Sequence, residues 1–413
     1  MCVEHGSATE TGQRQPGGLS HATTCLFAVA AGLSVANVYY AQPLLDVMAR
    51  DLGIASAVIG LVVTLTQVGY ALGLIFIVPL GDLVDRRRLI VSQTLLSVAA
   101  LAVVAMARTA SMLLFGMVAT GLLAVVVQVL VAFAASLTAP NERGKVVGTV
   151  TSGVVIGILA ARFLAGLLSD LGGWRTVYLT SAILTLIVAG LLLKALPRRL
   201  SPASAESYAT ALRSVPMLFL HDHVLLLRGV LALLIFAAFS TFWTALVLPL
   251  SGAAFAYSHT QIGLFGLVGM VGALAASGAG RLADRGLAQW TTGLSLVLLT
   301  ASWGLIALLS NSVMFLVAGV ILLDLAVQAV HVTNQSIILA RYPQASSRLV
   351  GGYMVFYSIG SALGAVGATV TYAQAGWSGV CALGATFGVV ALLTWAFDQV
   401  RRRRSSTHEL HCH

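Results

Sequence analysis

The sequence predicts an all-α polytopic membrane protein of twelve transmembrane helices, arranged as two pseudo-symmetric six-helix bundles. Three observations predict it: a composition that soluble domains do not share, twelve apolar runs each long enough to cross a bilayer, and a set of motifs that recurs between the two halves of the chain.

The composition excludes an ordinary soluble protein. Of 413 residues, 58% are hydrophobic and 9% charged, against roughly 25% charged in soluble domains. A crossing takes about 20 apolar residues. Helices satisfy their own backbone polar groups within lipid, where each unpaired group is costly. The net charge of +9 sits in short clusters between apolar runs, a pattern of membrane topology rather than of nucleic-acid binding. Cys2, Cys25, Cys381 and Cys412 show no metal-ligand or disulfide spacing. With no phosphate loop, nucleophile elbow or zinc-ligand pair, neither an enzyme nor a cofactor is expected.

Residues 1–21 are polar and lack the features of a cleaved signal peptide, so a disordered cytoplasmic tail is expected. An N-terminal bundle is expected over 22–197, with spans 1 to 6 at 22–46, 55–81, 88–107, 111–138, 144–169 and 174–196. The segment 198–222 reads as an interdomain loop. A C-terminal bundle follows over 223–400, with spans 7 to 12 at 223–250, 258–280, 289–309, 312–340, 349–375 and 377–399, and then a basic tail over 401–413.

Lysine and arginine set the orientation. With the N-terminus inside, the inner segments hold eighteen: Arg14, Arg86 to Arg88, Arg143, Lys145, Lys194, Arg198, Arg199, Arg213, Arg281, Arg285, Arg341, Arg348 and Arg401 to Arg404. The outer segments hold Arg50, Arg108 and Arg175. This bias places both termini in the cytoplasm and the chain in the inner membrane.

The duplication is local and specific. Gly81-Asp82-Leu83-Val84-Asp85-Arg86 follows span 2, and Gly280-Arg281-Leu282-Ala283-Asp284-Arg285 follows span 8. Leu122 to Gln128 in span 4 echoes Leu322 to Gln328 in span 10. Two such halves around a central site point to a transporter. Small-residue pairs at Gly69 and Gly73, Gly153 and Gly157, and Gly360 and Gly364 allow close helix approach, and those of spans 5 and 11 are expected to form an inter-half surface.

These segments resemble the major facilitator superfamily, whose signature loop lies between spans 2 and 3. Asn37 to Leu45, Gly157 to Arg162 and Asp324 to Gln335 resemble a bacterial efflux-type branch of that family. The resemblance implies a monomer that exports drugs, sugars or metabolites against protons by alternating access. It also implies a gate at Gly81, Asp85 and Arg86, with Asp85 contacting span 11, and a second box at Gly280, Asp284 and Arg285. The chain departs from the pattern at Arg88, where the signature loop usually has glycine, and at Gln128, where drug antiporters often carry arginine.

Span 10 carries the densest polar set. Asp324, Gln328, His331 and Gln335 follow a 4-3-4 spacing, with Asn334 beside Gln335, so they share a helical face. Such a face is costly against lipid and is expected to look into a central cavity. Asp324 and His331 are the candidate proton carriers. Arg162, deep in span 5, suits an anionic group or a pairing with Asp324. Arg228, near an end of span 7, reads as snorkelling. Asn37 and Tyr40 share a face of span 1, from which Gln42 points away, while Gln67 and Gln128 add polar groups from spans 2 and 4. Phe242 and Trp243 read as packing, with an apolar cavity wall as the alternative. The expected partners are a small-molecule substrate, protons and the lipid bilayer, with no nucleic acid. The alternatives are a proton symporter or facilitator importing a sugar or organic anion, and a transport-dead sensor.

Overall fold

The computed structural model describes residues 20–138, 142–197, 208–276, 279–341 and 346–410, without the side chains of 82, 211, 214, 215, 280, 281, 283, 284, 346–348 and 402–410. All regular structure among the described residues is helical. Among the described residues, ten helices are long and apolar enough to cross a membrane. One of them, Leu349–Arg401, is 53 residues long and turns back at Gly376, whose φ is 62°. With the shorter apolar helix His259–Ala275, the arrangement is consistent with twelve crossings. Gly376-Trp377 mirrors Gly173-Trp174, where φ of 79° ends span 5. Glycine tolerates this positive φ without steric cost.

Span 1 does not run as one helix. Pro43 cannot donate a backbone N–H, and the α-helix His21–Tyr39 gives way to a 3₁₀ turn, Gln42–Leu44, before resuming at Leu45–Leu52.

The glycine pairs pack within each half, not between halves. A Cβ at Gly153 or Gly157 would strike the carbonyls of Ala28 and Gly32 in span 1. A Cβ at Gly360 or Gly364 would strike those of Leu233 and Ala237 in span 7. Gly69 and Gly73 face Val118 and Leu122 of span 4. The expected inter-half role of these pairs is therefore corrected: they let spans 1 and 5, and their mates 7 and 11, lie backbone to backbone inside one bundle. Gly157→Val is expected to cost about 1–3 kcal/mol of stability through overpacking, read as a lower thermal midpoint of the purified protein.

Ser20 before span 1, Arg401 at the end of span 12 and the loop between spans 2 and 3 mark one end of the bundle, here the proximal end; the other is the distal end. The two halves meet through spans 5 and 8 and through spans 2 and 11, along the distal half of each. Gly263 of span 8 sits where a Cβ would lie 2.6 Å from the carbonyl oxygen of Arg162. Gly166 of span 5 packs on the carbonyl of His259. Across the other seam, Thr64 Oγ1 donates to the Ala362 carbonyl at 3.1 Å, and a Cβ at Gly60 would lie 2.5 Å from the Ala365 oxygen. Toward the proximal end, Gly144, Gly148 and Gly351 face open space. This conformation is sealed distally.

Candidate functional site

At mid-depth, where the halves meet, two opposite charges face each other from different bundles. Arg162 on span 5 and Asp324 on span 10 are each 2% exposed, so neither looks at lipid. Each feels the other's charge, yet they make no ion-pair contact in this conformation.

A glycine stripe on span 8 makes room for both. Gly263, Gly266, Gly269 and Gly272 recur every third residue. The first two admit Arg162: a Cβ at Gly266 would lie 3.0 Å from the Arg162 Cβ. Gly269 admits the carboxylate, since a Cβ there would lie 2.5 Å from Asp324 Oδ2 and 3.0 Å from Trp243 Cζ2. Gly272 packs on the Ile321 backbone.

The guanidinium is held by rings and one amide. Its carbon lies 3.9 Å from the Trp243 ring centre, 5.1 Å from that of Tyr39 and 5.5 Å from that of Phe239. A desolvated cation–π contact contributes about 2 kcal/mol, which offsets part of the cost of burying the charge. Arg162 Nε donates to Gln42 Oε1 at 2.8 Å. Arg162 Nη2 and Asp324 Oδ2 have no protein hydrogen-bond partner. Buried polar atoms in native proteins are usually paired, and Trp243 Nε1 in the same cluster is likewise without a hydrogen-bond partner.

Aromatic groups extend the cluster. The hydroxyls of Tyr39 and Tyr357 meet across the halves. The Tyr357 ring stands edge-on to Phe236 with centres 4.2 Å apart and to Tyr70 at 6.4 Å. Gln128 Nε2 donates to Tyr70 Oη at 3.3 Å, and Gln67, 2% exposed, lies on the same wall.

Other expected site residues lie elsewhere. Asn37 accepts a 2.6 Å bond from Ser181 Oγ of span 6, and the Tyr40 ring is edge-on to Tyr178 at 6.3 Å. These two do share a face, but it turns into the N-terminal bundle; Tyr39 and Gln42 hold the inward positions instead. Asn334 Oδ1 accepts from Arg228 Nη1 at 3.1 Å, and the same nitrogen donates to Thr292 Oγ1 at 3.2 Å. Arg228 is 0% exposed, which corrects the snorkelling expectation: a polar pocket among spans 7, 9 and 10 holds its head inside the bundle. His331 Nδ1 lies 3.0 Å from Tyr353 Oη and its Nε2 lies 3.3 Å from Gln335 Nε2. With both ring nitrogens so engaged, and seven residues or about 10 Å along the helix from Asp324, His331 belongs to a separate network. Gln328 is half-buried between the two groups.

The proximal box has a local role in this state. Asp85 caps span 3, accepting from the backbone N–H of Arg87 at 2.8 Å and of Arg88 at 3.3 Å. Arg86 Nε donates to the Gly81 carbonyl at 2.8 Å. Residues 342–345 and the side chains of 346–348, where span 11 begins, lie outside the described residues, as does the side chain of Asp284 in the second box, and nothing is described of the surroundings of Gly280. Arg285 is exposed.

The sequence reading takes Trp243 first as packing, turns Gln42 away from Asn37 and Tyr40, as the structure has it, and does not single out Tyr357 or the span 8 stripe. Only the stripe had a readable signal, four glycines at three-residue spacing.

Comparison with known proteins gives a coherent picture. A family profile of the Major Facilitator Superfamily matches residues 26–322 and 229–410. The uncharacterized transporter YgaY of Escherichia coli O157:H7 is 46% identical over 377 residues, covering 91% of this chain and 95% of that one. The purine ribonucleoside efflux pump NepI of Salmonella paratyphi A is 28% identical over 159 residues, covering 37% of this chain and 39% of its own. Among solved structures, a bacterial homolog to the human lysosomal transporter Spinster, in an inward-facing and occupied conformation, aligns with a TM-score of 0.75 at 14% identity, covering 92% of this chain and 96% of that one.

Proposed function

The chain belongs to the Major Facilitator Superfamily and is a multi-pass membrane transporter, and from that premise we propose that it exports small organic molecules from the cytoplasm across the inner membrane in exchange for protons. The termini and the proximal end face the cytoplasm, as the eighteen-to-three basic bias supports. The chain works as a monomer by alternating access.

One observation carries this reading: two buried opposite charges on opposite halves, Arg162 and Asp324, each with a polar atom that no protein group satisfies. A carboxylate so placed attracts the guanidinium across the seam. A proton on it removes that attraction, so protonation and the relative position of the halves are linked. A change at the seam is all that rigid-body rocking needs to read.

The same pair constrains the cargo. In exchange, proton and substrate compete. A neutral or cationic solute with N–H or O–H donors binds the Asp324 carboxylate, and a proton abolishes that acceptor. An organic anion would instead seek Arg162 and bind better once Asp324 is protonated, which is the logic of symport; the free Arg162 Nη2 favours that second reading. Similarity to an efflux pump supports export.

The sign of the pH effect separates the two. Thermal-shift measurements on the purified protein against antibiotics, sugars, nucleosides and organic acids at pH 6 and pH 8 are expected to give stabilisation by the cargo that is larger at pH 8. Stabilisation larger at pH 6 by an anion supports symport. In everted vesicles, uptake of the stabilising ligand is expected to collapse when the pH gradient is dissipated; uptake indifferent to the gradient overturns proton coupling.

A further inference from the structure

The distal mouth holds a polar cluster that the central site does not use. His259 opens span 8 in the C-terminal half, and two carboxylates from the N-terminal half converge on its ring. His259 Nε2 lies 3.0 Å from Asp46 Oδ1, and His259 Nδ1 lies 3.1 Å from Asp170 Oδ1. The ring is 15% exposed, Asp46 10% and Asp170 27%, so the cluster stays in reach of water.

The proton count follows from the donor inventory. A carboxylate only accepts. Neutral imidazole has one N–H and one lone pair, so between two carboxylates it would donate to one and press its lone pair on the other. Both contacts are hydrogen bonds only if the cluster holds one more proton, giving an imidazolium or a protonated carboxyl. The other charged group in contact is Arg50, which pairs with Asp46 at 2.9 Å; as a guanidinium it does not titrate in this range.

The surroundings show that the cluster is a closure and not a chance surface pair. Asp170 also caps span 8 across the interface: its Oδ1 accepts from the His259 N–H at 3.1 Å, and its Oδ2 from the Thr260 N–H at 2.8 Å and from Thr260 Oγ1 at 2.6 Å. The Gln261 N–H goes to Ser258 Oγ at 3.3 Å. The first donors of span 8, which a helix leaves unsatisfied, are thus met largely by the other half of the molecule. Gly166, one turn before Asp170, lets the two backbones touch at His259. Moving the halves apart at this end breaks all these bonds together.

We propose that His259, Asp46 and Asp170 form a second proton-binding site, at the distal mouth, that locks the halves together while it holds the extra proton and frees them when it loses it. The sealed state binds that proton more tightly than the open state. Its contribution is therefore fully present below the pH at which the open-state histidine titrates, ordinarily near 6.5, and is lost as pH rises through the higher value of the sealed state. Acid on the distal side favours the sealed, proximally open form. The proton returns to the side it came from, so the site sets the resting population without adding to the coupling stoichiometry. This goes beyond the exporter reading and needs no substrate.

The test is a distance measurement. Spin labels replace Met106 and Met314, which are 68% and 69% exposed at the distal ends of spans 3 and 10 in different halves. The label sites are made in a background lacking the four native cysteines, and the full chain is held in lipid nanodiscs. Pulsed-dipolar distances are recorded from pH 5.5 to 8.5. The short-distance population is expected to dominate in acid and to decline by up to about tenfold per pH unit, the limit for one linked proton. His259→Gln is expected to favour the long distance at every pH. Asp46→Asn is expected to stay short throughout, because neutral imidazole then donates to Asp170 and accepts from the new amide. Asp324→Asn, which removes the central titration, is expected to keep the part of the response that His259→Gln abolishes. Distances that do not change with pH overturn the proposal. In the Asp324→Asn background, where the central carboxyl no longer titrates, a pH response that survives His259→Gln also overturns it, as does the loss of any pH response in Asp324→Asn alone, and none of these outcomes bears on whether the chain exports.

Discussion

Asp324→Asn is expected to reduce proton-driven uphill export to the level seen without a pH gradient and, because the proposed cargo binds the carboxylate, to slow substrate exchange between the two sides as well, while the protein stays folded. Asparagine matches the carboxylate in size, so the notch at Gly269 still accommodates it. It cannot take up or release a proton. The halves then lose the charge whose appearance and disappearance links the gradient to their movement. Breaking a buried pair by removing one partner usually costs about 3–5 kcal/mol. Here the loss is expected to be smaller, because Arg162 keeps Gln42 and three aromatic rings. The protonated form of Asp324, an uncharged mimic of asparagine, is also a station of the proposed cycle. The measurement is paired: concentrative uptake into everted vesicles, and counterflow in proteoliposomes without a gradient. Wild-type concentrative uptake by the variant removes Asp324 from the mechanism.

Gly166→Val is expected to stop transport by a different route, leaving each half folded but preventing distal closure. The nearest atoms to a Cβ at Gly166 all belong to His259 and Thr260 of the opposite half. The clash therefore exists only in the sealed state. Overpacking of about 1–3 kcal/mol makes that state roughly 5- to 150-fold rarer. The Met106–Met314 label pair should report the longer distance at every pH, and export should fall with little change in the thermal midpoint. Gly157→Val offers the contrast: its clash is with Gly32 of the same bundle, so its loss appears as instability. Wild-type distances and rates in Gly166→Val would mean that the span 5 and span 8 contact does not limit the cycle.

The helical membrane fold, the internal repeat and the buried charges were open to reading in the chain itself, because lipid imposes them. Nineteen or so apolar residues in a row have few stable alternatives to a spanning helix, and a charge within one has to face protein. Arg162 and Asp324 stood out on that ground alone. Helical spacing also correctly paired Asn37 with Tyr40. What it does not contain is which way a face turns, and there the tertiary structure decided. Asn37 and Tyr40 look into their own bundle, Asn334 answers Arg228, and the paired glycines of spans 5 and 11 join helices within a half. Tyr39 and Gln42, three residues apart, take the face of span 1 that meets Arg162, away from Asn37 and Tyr40 as helical spacing has it. The distal cluster of His259, Asp46 and Asp170 draws on three spans far apart in sequence. Periodicity reports relations along one helix, whereas the rotation of each helix about its own axis is set by packing against its neighbours, and that information is spread over the whole chain.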